Sequence, residues 1–131
     1  MVKPYIASPY ANGDKIDNVN LQLDVANELI VRGFAPYVPL LAHYQQARHL
    51  HEEHEWLSID HEWLKCCDVL VRMKPIKDGK EVPSSGADKE EAWARELGIP
   101  VFVFYTVAEL VLFLESNELT NVFEEGVAVS A

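Results

Sequence analysis

A chain of 131 residues has the length of one domain, and its 49% of hydrophobic residues supply a core without disulfide or metal staples. Its 21 acidic against 11 basic side chains give a net charge of −10, which argues against a nucleic-acid partner because phosphate backbones call for a basic stripe. That balance leaves room for a small nucleotide held by backbone amides. Cys66 and Cys67 are adjacent, which suits a reducing compartment better than a disulfide framework. No basic-then-apolar leader and no apolar run of membrane-spanning length occur, so a soluble, cytoplasmic protein with no membrane partner is expected.

In chain order, Pro4–Ser8 reads as a short first strand stopped by Pro9, and Ala11-Asn-Gly-Asp14 as a turn. Val19, Leu23, Ala26 and Ile30 then recur at helical spacing until Gly33 ends the run. Ala35–Val38 reads as a second strand closed by Pro39, and residues 40–57 as short helical pieces. Ser58–Cys67 is predicted as a helix and Val69–Met73 as an apolar strand. Residues 74–85 carry Lys, Gly, Pro and Ser, a loop long enough to suggest a function. A helix from Gly86 to Leu97, a buried strand Val101–Phe104 and a helix capped by Thr106 and running through Leu114 complete the reading, with the tail 115–131 unassigned.

Strands alternating with helices predict one α/β domain over residues 1–131, a doubly wound, flavodoxin-like parallel sheet of four or five strands. Such sheets bind ligands beyond the carboxyl ends of their strands. Here the loops at those ends are 8–14, 39–57, 74–86 and 105–106.

Two carboxylates break the helical pattern. Glu90 shares its stripe with Gly86, Ala87, Trp93, Ala94 and Leu97, and Asp60 with Trp56, Leu57, Trp63 and Leu64. Glu91, with Asp88 and Arg95 as neighbours, is expected to point to water. An inward carboxylate costs several kcal/mol unless something satisfies it, and a cleft at the helix ends satisfies both. Capping and helix-dipole roles are the alternative. Ser85-Gly-Ala-Asp88 resembles a capping box, and a Ser-Ser-Gly turn opening a helix also presents free N–H groups to an anion. His49, His51, His54 and His61 lie close together, yet His51-Glu-Glu-His54 is not the i, i+4 zinc arrangement, so no metal is expected. Tyr10 and Trp56 could stack on a base or belong to the core.

Ile6-Ala-Ser-Pro-Tyr10, Tyr37-Val-Pro-Leu40, Asp60-His-Glu-Trp-Leu-Lys-Cys-Cys-Asp68 and Ser85-Gly-Ala-Asp-Lys-Glu90 resemble the nucleoside 2-deoxyribosyltransferase superfamily, in its uncharacterised deoxyribosyltransferase-like branch. The likeness covers about residues 3–105, and its most specific piece is Gly86-x-x-x-Glu90. It implies an N-glycosidase or transferase acting on a (deoxy)nucleoside or nucleoside 5′-monophosphate. Glu90 is then the nucleophile, kept ionised by the helix N-terminus, and Asp60 orients it or serves proton transfer. Ser8, Tyr10, Asn12, His43, Ser85 and Gly86 bind the substrate. Neither cofactor nor metal is implied, and a homo-oligomer, dimer or tetramer, is expected because members complete their pockets with a neighbour's segment.

Ser84 stands where the transferases often carry an aspartate. Ser85 stands where phospho-sugar hydrolases of the superfamily hold a 5′-phosphate, which points to nucleotides and hydrolysis. The rival readings are a nucleotide-binding or sensing module without turnover and, on the histidines, a metal-dependent hydrolase.

Overall fold

Alternation along three short strands decides which side chains build each half of the core. The structure, a computed structural model, describes residues 1–123. Strand β1 (Pro4–Ala7) pairs in parallel with β2 (Val69–Met73), and β2 with β5 (Val101–Phe104), giving the order β1-β2-β5. Ile6, Val69, Val71, Met73 and Phe104 face one side, where they meet Val25, Ala26 and Leu29 of α1 (Lys15–Ile30) and Leu110 and Leu114 of α5 (Val107–Glu115). Tyr5, Ala7 and Leu70 face the other, against Leu64 of α3 (Glu53–Leu64) and Ala87 and Ala94 of α4 (Ser85–Glu96). Helices thus cover both faces, and all five residues of β2 are buried as a central parallel strand requires.

The expected strand at Ala35–Val38 is reduced to a single parallel bridge between Tyr5 and Tyr37. Tyr37 N–H donates to the Pro4 carbonyl at 2.8 Å and its own carbonyl accepts from Ile6 N–H at 3.1 Å. Pro36 and Pro39 bracket this bridge and remove the donors a longer ladder would use. The regular sheet therefore has three strands among the described residues, not four or five, with Tyr37 holding the fourth place. Counting that place, the spatial order is Tyr37-β1-β2-β5, which reverses direction between β1 and β2. That reversal is the switch point at whose carboxyl edge ligands bind in such sheets.

The short helical pieces expected before α3 are present, whereas the start of α3 and the loop 74–85 differ from the sequence expectation. Helix α3 starts at Glu53 rather than Ser58, because Glu52 and Glu55 form a reciprocal capping box. The segment before it folds as a 3-10 turn (Pro39–Leu41) and α2 (Ala42–Arg48). The expected loop 74–85 contains a hairpin of β3 (Ile76–Lys77) and β4 (Lys80–Glu81), turned by Asp78 at φ 52° and Gly79 at φ 75°. Two consecutive positive φ values are the signature of a type I′ turn, and Asp-Gly is its favoured dipeptide. A further helical turn covers residues 118–123, where Leu119 is buried on the α1/α5 side. The rest of the unassigned tail, 124–131, lies outside the described residues. No helix among the described residues is long and apolar enough to cross a membrane.

Candidate active site

A cleft of about 280 Å³ opens at the switch point. The loop after β1, the 39–41 turn, α2, α3 and the start of α4 all contribute to its walls. Ser8, Tyr10, Asn12, His43, Asp60, Ser85, Gly86 and Glu90 all line it, from segments up to 82 positions apart in sequence. Convergence on one crevice follows from the topology, since β1 and α4 both end or begin at the carboxyl edge of the sheet.

Glu90 is 7% exposed, and Tyr5, which is fully buried in β1, donates its phenolic hydrogen to Glu90 Oε2. Burial pushes the Glu90 carboxyl up to about 8. Burial thus opposes the expectation that the helix N-terminus keeps it ionised. Glu90 is the sixth residue of α4, beyond the first turn in which the dipole acts, so desolvation wins.

Asp60 Oδ1 accepts from Tyr37 Oη at 3.0 Å. Burial raises Asp60 to about 6 against the opposing pull of that hydrogen bond, and burial, followed by the Asp60 partnership, raises Tyr37. Tyr5 and Tyr37 stack with ring centroids 5.3 Å apart. Each carboxyl is thus held by a tyrosine, and the two tyrosines support each other. Neither tyrosine was singled out as a site residue from sequence, because a strand residue's reach across the fold is set by pairing and not by local pattern.

The remaining residues divide by what already occupies them. Ser84, not Ser85, caps α4 by accepting from Ala87 N–H at 3.1 Å. Ser85 is accordingly the first helical residue, exposed at the cleft. The Asn12 amide donates to the Pro83 carbonyl at 2.8 Å and so ties the β1–α1 loop to the segment that leads into α4. Tyr10 Oη and His43 Nδ1 form a hydrogen bond between that loop and α2, with Lys15 Nζ 5.4 Å from the Tyr10 ring centroid. Trp56 lines the cleft with its indole N–H given to Gln46 Oε1 at 2.7 Å. Gln22, overlooked in the sequence, is 1% exposed, lines the cleft, and donates to Ser8 Oγ at 2.8 Å.

Glu91 does not point to water as expected. Its side chain is 20% exposed and lies 3.8 Å from Nε of Arg72, a β2 residue with 1% exposure that also donates to Asp88 at 2.9 Å. The helical pattern could not show this, since the opposing cation comes from the sheet. His51 bonds Glu55 at 3.0 Å, His54 sits 3.3 Å from Glu52, and His61 stacks on Trp93. Among the described residues no three His, Cys, Asp or Glu side chains are grouped to hold a metal ion.

Two solved structures share this architecture. One is the 2-deoxyribosyltransferase of the psychrotolerant bacterium Bacillus psychrosaccharolyticus, with TM-score 0.52, 23% identity, and coverage of 79% of this chain and 72% of that one. The other is the 2-desoxiribosyltransferase of Leishmania mexicana, with TM-score 0.55, 17% identity, and coverage of 80% of this chain and 65% of that one. The fold is therefore nucleoside 2-deoxyribosyltransferase-like, and the chain spans slightly under two thirds of the Leishmania protein. Among curated proteins none matches. Over residues 3–104, which carry all three parallel strands and every residue lining the cleft, the chain belongs to the family described as a domain of unknown function, DUF7768.

Proposed function

We propose that the chain cleaves or transfers the N-glycosidic bond of a (deoxy)nucleoside or nucleoside 5′-monophosphate, with Glu90 as nucleophile. The observation that carries the reading is a buried carboxyl in a cleft at the sheet's switch point, with a second, tyrosine-held carboxyl lining the same cleft. In this scheme a Glu90 carboxylate oxygen bonds to C1′ as the C1′–N bond breaks. The base departs with the electron pair and takes a proton from water, while Asp60, ionised above about 6, orients the sugar. Water, or a second base, then attacks C1′ and releases Glu90, the double displacement of retaining glycosidases. Ser8, Tyr10, His43, Ser85 and Gly86 are the proposed substrate contacts, with Asn12 holding the loop that carries two of them. The activities of the two similar structures point the same way.

With burial raising its carboxyl to about 8, Glu90 is mostly neutral at pH 7, and only its carboxylate is a nucleophile. Base release should therefore climb about tenfold per pH unit below 8 and level above it. That same neutral carboxyl favours a second reading, a nucleotide-binding module without turnover. Incubating the protein with a panel of nucleosides and 5′-monophosphates at pH 7 and pH 9, and following free base by chromatography, separates the two. Base release that is faster at pH 9 supports the enzyme. Saturable binding with no release at either pH supports the module.

A further inference from the structure

The Gln22 amide has only one orientation open to it. Leu40 N–H can only donate, and it takes Gln22 Oε1 at 2.8 Å. The Ile6 carbonyl can only accept, and it takes Nε2 at 3.3 Å. The other Nε2 hydrogen then goes to Ser8 Oγ at 2.8 Å. Ser8 is 5% exposed and accepts from Gln22, and its own hydroxyl hydrogen finds no acceptor among the described residues, while the side chain lines the cleft. A hydroxyl carries one donor, and a buried donor left without an acceptor is costly.

We propose that Gln22 is a positioning residue that fixes the Ser8 hydroxyl as a hydrogen-bond donor into the cleft, so that a bound ligand must present an acceptor oxygen there. The orientation stands on the protein's own hydrogen bonds, and only the identity of the ligand rests on the function proposed above. The acceptor is a sugar or base oxygen, or a phosphate oxygen. Gln22 also joins β1 to the 39–41 turn through Leu40, so a single buried amide sets both the donor and the wall opposite it.

Neutron diffraction from deuterated crystals of the unmodified, ligand-free protein tests the orientation directly. The expected result is one Nε2 deuterium on the Ile6 carbonyl, the other on Ser8 Oγ, and the Ser8 deuterium directed into the cleft. A Ser8 deuterium directed at Gln22 or at a backbone carbonyl overturns the proposal. A second arm uses Gln22→Glu, whose carboxylate accepts from Leu40 N–H and from the Ser8 hydroxyl and so turns that hydrogen away from the ligand. The probes are thymidine, 2′-deoxyadenosine and their 5′-monophosphates, titrated by NMR. Kd should rise about tenfold in Gln22→Glu and in Ser8→Ala, with the double variant no weaker than either single one. Loss for nucleosides and monophosphates alike places the acceptor on the nucleoside, and loss for monophosphates alone places it on the phosphate. Unchanged affinity in Gln22→Glu, or additive losses, overturn the proposal. Should the unmodified protein bind none of the probes, the functional reading fails, while the deuterium positions still decide the role of Gln22.

Discussion

Replacing Glu90 by Gln should stabilise the protein, and more so as the pH rises. The substitution keeps the volume and an acceptor for Tyr5 while removing the ionisable carboxyl. Burial raises Glu90 from an ordinary 4.5 to about 8, so between those values the folded chain holds a proton that the unfolded chain has released. Stability contributed by that proton is complete below 4.5 and is lost as the pH climbs to 8. The slope for one such group is about 1.4 kcal/mol per pH unit, and the full window amounts to roughly 5 kcal/mol. Urea melts of the two proteins at pH 5, 6, 7 and 8 give the assay. The difference between them isolates Glu90 from every other titrating group. It should widen in favour of Glu90→Gln at each step from pH 5 to 8 and then stay constant. A difference independent of pH would refute the reasoning, because it would mean that Glu90 is ionised in the folded chain at all these values.

Glu91→Ala should lower stability by about 2 kcal/mol in the same melts, since it leaves the buried Arg72 with Asp88 alone; Lys89→Ala, on the exposed side of α4, should be neutral and is the proper control for activity assays. Asp60→Asn should slow base release by ~10²–10⁴-fold, as loss of an orienting group does, with the melting temperature at pH 7 raised and not lowered, because Tyr37 keeps its acceptor and a carboxylate disfavoured by burial is removed. We further expect a homo-oligomer, dimer or tetramer; analytical ultracentrifugation at micromolar concentration should show it, and a strict monomer would count against it.

The parts of the fold legible in the sequence were those whose signal is local. Val69–Met73, apolar but for Arg72, and the unbroken apolar run Val101–Phe104 announce themselves between helices, and Thr106 caps α5 as its hydroxyl suggests. Glu90 was found because a carboxylate in an apolar stripe is anomalous within a single helix. The hairpin at 76–81 gives no strand pattern although Asp78-Gly79 is a strong turn signal, because its two-residue strands are short and exposed. Helix α3 begins five residues ahead of the expected Ser58 because Glu52 is an unusual cap, recognisable only from its exchange with Glu55. What pattern could not reveal is contact between distant elements. Tyr5 reaching Glu90, Tyr37 reaching Asp60 and Arg72 lying under Glu91 all depend on which face of which strand meets which helix. The balance of charge at Glu90 is hidden for the same reason. Helix position argued for a charge, whereas its depth in the packed domain argues against one.

The claim that Glu90 attacks the sugar is tested most directly by trapping the covalent intermediate. A 2-fluoro-2-deoxy nucleoside slows breakdown of a glycosyl–enzyme by destabilising its oxocarbenium-like transition state. After incubation at pH 9, digestion and mass spectrometry should find the fluorosugar on the peptide containing Glu90, and no adduct in Glu90→Gln. An adduct on another carboxylate, or turnover of nucleosides by Glu90→Gln at the rate of the unmodified protein, would contradict the account.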